Sequence, residues 1–224
     1  MPYHSLPSGE SGLPGLWKVT ESIDELAALI PSGKDLAEDS SRLFHSESRR
    51  KEWLATRVLL HAMLGVEKEI GHLENGKPFL KNDCRHISIS HTKGYVAIIL
   101  GTQAEVGVDI EYRSPRVMKV KERFVSQQEE QNIRPEHELD SLLLHWCAKE
   151  TAFKMMNTDG VDFVEHLHIT EFDYPDKDIF MLQETRTALR NTFEIHYCVQ
   201  SDFVLTWSEK IVFPYKIDNL FGTD

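Results

Sequence analysis

The chain has 224 residues and a formal net charge of −11 at pH 7, with 41% hydrophobic and 27% charged residues. This length suffices for one sizeable core or two small fused subdomains. The acidic balance argues against a non-specific nucleic-acid-binding protein, and no apolar run approaches the ~20 residues of a membrane helix. Three scattered cysteines and the lack of a basic, then apolar, leader favour a cytoplasmic protein without a disulfide framework or zinc site.

The N-terminal third begins with proline and glycine and continues with helices. Residues 1–15 contain three prolines and three glycines without periodicity, so we expect a loosely held arm. Ser22 and Glu25 form a capping box that begins a short helix. A longer helix is predicted over residues 46–64, ended by Gly65. Its basic side chains either form a solvated face or meet an anion: Arg49, Arg50, Lys51 and Arg57.

Three strands are predicted next, over residues 87–91, 95–100 and 106–111. Their short connections imply an antiparallel meander. Before them, Asn75 and Gly76 predict a turn that exposes Lys77. A lysine in such a turn is usually solvated.

The third of these strands carries two acidic residues on one face. Asp109 and Glu111 lie two residues apart, so both project opposite Val108 and Ile110. The two carboxylates repel each other unless a cation lies between them, and a hard divalent metal such as Mg²⁺ prefers oxygen ligands. The alternative is a solvated strand edge.

A helix with a mostly apolar stripe is predicted to end near Met156. Glu150 and Lys154 are four residues apart on it, so they lie side by side. They form either an ion pair on a solvated face or a third metal carboxylate beside a phosphate-binding ammonium. Upstream, Ser126 and Glu129 form a second capping box.

The segment between the acidic strand and this capping box is basic. Residues 113–123 hold five basic side chains against Glu122 alone: Arg113, Arg116, Lys119, Lys121 and Arg123. Beyond residue 156 the pattern is strand-like, with a hairpin predicted from residues 192–199 and 203–207. This hairpin is similar to residues 89–97, which suggests internal duplication.

Two blocks of sequence carry a family resemblance. G-V-D-I-E at residues 107–111, followed about forty residues later by W-C-A-K-E-T-A-F-K at 146–154, resembles the signature of the 4'-phosphopantetheinyl transferase superfamily. R-R-K-E-W-L-A-T-R, G-K-P and I-S-I-S-H-T resemble further blocks of it, with Ser88 where asparagine is common. The chain length matches the surfactin-synthetase type of the superfamily rather than the shorter, trimeric type.

This resemblance implies an α+β fold. We expect two similar subdomains, residues 16–111 and 112–224, that form an intramolecular pseudo-dimer. Each is expected to contain a small antiparallel sheet with a packed helix, and the active site is expected at their interface. A monomer is the implied state.

The resemblance also implies roles for particular residues. A Mg²⁺ ion, with Mn²⁺ as the alternative, would be held by three carboxylates: Asp109, Glu111 and Glu150. Glu129 would act as the general base, with Glu130 in reserve and helix capping as the alternative role. Coenzyme A would be bound by basic and polar side chains: Arg57, Lys77, Ser90, His91 and Lys154.

The implied reaction is transfer of 4'-phosphopantetheine from coenzyme A to a serine of an acyl- or peptidyl-carrier protein, releasing adenosine 3',5'-bisphosphate. The basic residues Arg113 to Arg123 offer a docking surface for an acidic carrier. Two alternatives remain. One is a Mg²⁺-dependent hydrolase of nucleotide pyrophosphates, and the other is a non-catalytic module that binds coenzyme A or a carrier protein.

Overall fold

The computed structural model describes residues 3–5, 12, 14–102, 105–156, 158–209 and 211–212. The strands are β1 (Tyr3–Ser5), β2 (Gly15–Lys18), β3 (Ile70–His72), β4 (Pro78–Leu80), β5 (His86–Thr92), β6 (Tyr95–Gly101), β7 (Gly107–Tyr112), β8 (Leu167–Glu171), β9 (Ile179–Glu184), β10 (Thr192–Val199), β11 (Phe203–Ser208) and β12 (Ile211–Val212). The α-helices are α1 (Ile23–Ala27), α2 (Gly33–Leu43), α3 (Glu47–Leu64), α4 (Gln127–Glu130) and α5 (Glu138–Met156), and residues Pro115–Arg123 and Pro135–His137 form 3-10 helices.

The N-terminal sheet has the strand order β1-β2-β6-β5, and its described pairings are antiparallel. Helix α3 packs on this sheet through a core that includes Leu54, Leu59 and Ile98. The helix ends where predicted, because Gly65 adopts a left-handed φ of 69° and its N–H bonds the carbonyl of His61.

The second sheet has the order β7-β11-β10-β9-β8, with β12 paired to β10. Helix α5 packs against it through a core that includes Leu144, Ala148 and Val204. A third cluster lies between the two sheets and includes Ile99 and Ile110. The architecture is therefore α+β, as predicted.

The predicted meander of three strands is wrong. Strands β5 and β6 do pair, but β7 pairs with β11 of the distant hairpin, where Asp109 lies opposite Thr206. The chain leaves the first sheet after β6 and crosses to the second. The prediction rested on the short connections between the strands, which favour pairing of neighbours. In the structure the apolar face of β7 is instead buried between the two sheets.

Other local predictions are confirmed. Both capping boxes are present, at Ser22 with Glu25 and at Ser126 with Glu129. Strands β10 and β11 form the predicted hairpin. The arm predicted over residues 1–15 contains β1, which pairs with β2. Residues 1, 2, 6–11 and 13 of that arm lie outside the described residues. Within the described ranges, no helix is both long and apolar enough to cross a membrane.

Candidate active site

The site lies along the edge of β7 that faces β5. Along this edge the backbone of β7 forms hydrogen bonds with three side-chain hydroxyl groups of β5 rather than with the β5 backbone. We call these three groups the hydroxyl ladder. In order along the strands, the hydroxyl oxygens of Ser88, Ser90 and Thr92 accept hydrogen bonds from the backbone N–H groups of Val108, Ile110 and Tyr112, over 3.2, 3.3 and 2.9 Å. The hydroxyl groups thus satisfy backbone donors that would otherwise be unpaired where the two sheets meet.

Asp109 lies at the centre of this edge and is only 5% exposed. Its Oδ1 accepts hydrogen bonds from the Ser90 hydroxyl and the Lys154 ammonium, both at 2.8 Å. Lys154 also donates to the backbone carbonyl of Val108, over 2.9 Å. The other carboxylate oxygen of Asp109, Oδ2, is buried and accepts no N–H or O–H hydrogen bond among the described residues. The buried Cys147 thiol lies close to Asp109, and burial and then this charge raise the pKa of the thiol. A buried, unpaired carboxylate oxygen is costly in a folded protein.

Two further carboxylates share this electrostatic environment. Burial and then the charge of Asp109 raise the pKa of Glu150 to about 7, and the same two causes raise the pKa of Glu111. The indole N–H of Trp146 donates to Glu111 over 3.0 Å. Burial is the larger cause and the charge of Asp109 adds to it, and the Lys154 ammonium does not offset the raised pKa of either glutamate.

The donor chemistry of this cluster fits a hard divalent cation. Its members are all carboxylates, and Oδ2 of Asp109 has no other partner among the described residues. As they stand, no three His, Cys, Asp or Glu side chains in the described part of the chain are arranged around a metal position. Instead, Glu111 bonds Trp146, and Oδ1 of Asp109 bonds Lys154 and Ser90.

Two cavities, one of which reaches Lys154 beside the cluster, share three lining residues: Gly76, Pro78 and Ile89. The turn cavity, of about 280 Å³, is lined by the predicted Asn75–Gly76 turn, Lys77, Ser88 and Lys154. The α3 cavity, of about 340 Å³, contains Arg57 and His91. The turn cavity reaches Lys154, which bonds Asp109, and it borders the α3 cavity at these three residues; we call the pair of cavities the groove.

The predicted basic side chains of this groove have partners. Lys77 forms an ion pair with Glu105 at 2.6 Å. The guanidinium of Arg57 stacks 3.2 Å from the centroid of the Trp53 ring, and burial lowers its pKa to about 10. His91 lies 3.3 Å from Arg49.

The sequence left Arg49 between a solvated face and an anion contact and did not include it among the coenzyme A ligands, yet it lines the α3 cavity with Arg57. The two arginines are eight residues apart with Trp53 midway between them. This spacing, which keeps residues on one helix face, was the available signal.

Glu129 lies outside this groove in a saturated environment. It is 4% exposed, and its carboxylate accepts hydrogen bonds from Ser126 and from the N–H of Ile169. The Lys149 ammonium lies 2.8 Å from Oε1 and 2.9 Å from Oε2 of Glu129. Burial alone would raise the pKa of Glu129, but the Lys149 charge and these hydrogen bonds outweigh burial and lower it.

Comparison with known proteins adds a family to this geometry. Residues 105–208 match the model of the 4'-phosphopantetheinyl transferase superfamily. The match covers a little under half of the chain, and over these residues the chain is similar to members of this superfamily. The surfactin-synthetase type within it stays a prediction.

Three relatives represent the similarity. The chain is 34% identical to 4'-phosphopantetheinyl transferase AcpT of Salmonella typhi over 116 residues, which are 47% of this chain and 58% of that protein. It is 31% identical to AcpT of Escherichia coli (strain K12) over 112 residues, 47% of this chain and 57% of the relative. A putative 4'-phosphopantetheinyl transferase of Haemophilus influenzae is 27% identical over 159 residues, 64% of this chain and 65% of that protein. The chain thus spans less than two thirds of the length of these relatives.

The superfamily match contains the whole carboxylate cluster and Lys154, together with Glu129. The other predicted coenzyme A contacts precede residue 105: Arg57, Lys77, Ser90 and His91. The structure brings two of them to the cluster: Ser90 bonds Asp109, and Lys77 lines the turn cavity together with Lys154. Arg57 and His91 line the α3 cavity.

Proposed function

We propose that this protein transfers 4'-phosphopantetheine from coenzyme A to a serine of an acyl- or peptidyl-carrier protein and releases adenosine 3',5'-bisphosphate. The observation that carries the proposal is the cluster of Asp109, Glu111, Glu150 and Lys154, which lies inside the superfamily match and beside an open groove.

The groove suits an elongated, anionic substrate. Its far end holds Arg57 and His91, and its near end holds Lys77 and Lys154. We assign the nucleotide end of coenzyme A to the α3 cavity and the pyrophosphate to the near end. The stacked Arg57 guanidinium offers a planar cation, and Lys154 offers a point charge next to the carboxylates.

The three carboxylates would hold Mg²⁺ or Mn²⁺ through their oxygens. Such an ion, when bound, neutralises charge on the pyrophosphate and on the leaving group. In the reaction a bond forms between the serine oxygen and the phosphorus that carries the pantetheine arm. The bond from that phosphorus to the leaving adenosine 3',5'-bisphosphate breaks, and the serine proton passes to a base. Glu129 as this base stays a prediction, with Glu130 in reserve; the saturated contacts of Glu129 support the alternative, a capping and scaffold role.

The halves of the chain support the pseudo-dimer that we propose for its architecture. Each half places one long helix, α3 or α5, on an antiparallel sheet, and the site lies where the sheets meet. We place the boundary between the two halves before β7, because β7 pairs with β11 of the second half.

The carrier protein is proposed to dock on the basic segment, residues 113–123. A third cavity, of about 600 Å³, connects this segment to the carboxylate cluster, because Glu111 and Arg116 both line it. Arg116 and Lys119 are exposed, and two apolar side chains between and beyond them, Met118 and Val120, are also exposed. A basic rim around apolar contacts complements an acidic carrier.

The docking proposal is tested by reversing charge at Arg116 and Lys119. We expect the double variant Arg116→Glu/Lys119→Glu to raise KM for the carrier about fivefold or more, with coenzyme A affinity unchanged. The exposed Lys34 on α2 gives the charge-matched control, Lys34→Glu. An unchanged carrier KM in the double variant would contradict this surface.

The transfer itself is tested by the intact mass of an apo acyl-carrier protein after incubation with this protein, coenzyme A and Mg²⁺. We expect a gain of one phosphopantetheine, about 340 Da, that is lost in Asp109→Ala and Glu150→Ala. Consumption of coenzyme A without a gain in carrier mass would favour the pyrophosphate hydrolase. Binding of coenzyme A without either change would favour the binding module.

A further inference from the structure

Ser90 differs from the other two members of the hydroxyl ladder. All three oxygens accept a backbone N–H of β7, but within the described residues only the Ser90 oxygen also contacts a carboxylate. That contact is the 2.8 Å hydrogen bond to Oδ1 of Asp109. Ser90 is 8% exposed, so water competes little for either bond.

The hydrogen-bonding capacity of a hydroxyl group fixes the direction of this contact. A serine hydroxyl has one donor hydrogen and two acceptor lone pairs. The N–H of Ile110 uses a lone pair, and the carboxylate of Asp109 offers only acceptors, so the hydroxyl hydrogen points to Oδ1. Lys154 is the second donor to the same oxygen.

Two donors on one oxygen hold the carboxylate in a single orientation. Oδ1 is bound on the β5 side by Ser90 and on the α5 side by Lys154, and Oδ2 is left buried and unpartnered among the described residues. Free rotation would instead let either oxygen take either role. The arrangement leaves Oδ2 as the oxygen of Asp109 that neither donor engages.

We infer that Ser90 is a positioning residue that holds Asp109 so that its Oδ2 faces a bound divalent cation. This inference rests on the proposed function, because it assumes the divalent-metal site. It gives Ser90 a different role from the predicted contact with coenzyme A phosphates. Ser88, two residues earlier, is the serine that lines the turn cavity.

The test measures metal affinity without any transfer reaction. Mn²⁺ is titrated into the full chain, and free Mn²⁺ is followed by its electron paramagnetic resonance signal, with and without coenzyme A. In parallel, the Kd for coenzyme A is measured in excess EDTA. We expect Ser90→Ala to raise the Kd for Mn²⁺ about tenfold or more and to leave the metal-free coenzyme A affinity unchanged.

Two variants control for loss of the ladder bond. Thr92→Val removes a hydroxyl that bonds the N–H of Tyr112 on β7 and not the carboxylate of Asp109, so we expect it to retain the Mn²⁺ affinity. Ser90→Thr retains the hydroxyl group and is expected to bind Mn²⁺ within about threefold of the unsubstituted chain. Thermal unfolding of all variants identifies effects that arise from misfolding.

The outcomes separate the inference from the proposed function. Unchanged Mn²⁺ affinity in Ser90→Ala overturns the positioning role while the metal site stands. Weakened coenzyme A binding in EDTA, with Mn²⁺ affinity retained, assigns Ser90 to the phosphates and also overturns it. If the unsubstituted chain binds no Mn²⁺ with or without coenzyme A, the metal site fails and this inference fails with it.

Discussion

Two lysines on α5, five residues apart, each bond a buried carboxylate, and the two pairs differ in how completely they are satisfied. The Lys149 side chain is 0% exposed, and its ammonium donates to Glu129 and to the carbonyls of Phe124 and Phe163. The Lys154 side chain is 26% exposed, and its partner Asp109 retains an unpartnered oxygen among the described residues.

The electrostatics follow the same division. The pKa of Glu129 is lowered despite burial, because cation and hydrogen bonds together stabilise its charged form. The pKa values of Glu111 and Glu150 are raised by burial and by Asp109. A saturated pair needs no ligand and connects elements of the fold, whereas an under-compensated cluster beside a groove attracts a cation. We therefore propose that Lys149 belongs to the scaffold and Lys154 to the active site, although both lie on α5.

The largest expected effect is on catalysis at the unsaturated pair. Asp109→Asn keeps the shape of the side chain but removes one charge from the proposed metal ligands, so we expect transfer to fall about 10³-fold. The midpoint of thermal unfolding is expected to stay or rise, because one of three mutually repelling charges is gone. Initial transfer rates and circular dichroism melting curves measure both. If unfolding of Asp109→Asn accounts for its lower transfer rate, the Lys154–Asp109 pair does not differ in role from the Lys149–Glu129 pair.

The saturated pair should respond in stability. Lys149→Met leaves Glu129 buried without its cation, and we expect the free energy of unfolding in urea to fall by about 3–5 kcal/mol. Lys154→Met is the matched control on the same helix. We expect it to lose less stability, because Lys154 is partly exposed and Glu150 can take up a proton. Equal losses in the two variants would show that the pairs do not differ in role.

His145, one turn before Lys149, should make the scaffold sensitive to acid. Burial lowers its pKa from 6.5 to about 4, although the carbonyl of Ser141 bonds its ring. The unfolded chain therefore binds a proton between these pH values that the folded chain does not, and stability present above pH 6.5 is lost as the pH falls toward 4.

Between pH 7 and pH 4.5 this loss amounts to about 2–3 kcal/mol. His145→Phe retains a ring next to Phe172 and removes the titrating group, so we expect a flatter dependence of the unfolding free energy on pH. Urea unfolding of both proteins from pH 7 to pH 4.5 measures the difference. Parallel curves would mean that another group controls the acid sensitivity.

Much of the local structure was predictable because its causes are local. The capping boxes at Ser22 and Ser126 and the end of α3 at Gly65 depend on neighbours within four residues. The acidic residues of the cluster were identified by alternation and by family resemblance.

The remaining features depend on which distant segments meet. The partner of β7 lies in the last hairpin, and no spacing rule within residues 87–111 indicates it. Lys154 was predicted beside Glu150 on the helix, but its ammonium bonds Asp109 of β7. Ser90 likewise faces Asp109, because the two sheets meet at β5 and β7.

The most direct test of the contrast is the transfer rate of Glu129→Gln, normalised to the folded fraction and compared with that of Asp109→Asn. If Glu129 belongs to the scaffold, the folded fraction of Glu129→Gln transfers phosphopantetheine within about tenfold of the unsubstituted chain, while its stability falls. If Glu129→Gln is stable and folded but its transfer rate falls about 10² to 10⁴-fold, Glu129 is the general base. That result would contradict the assignment of Glu129 to the scaffold.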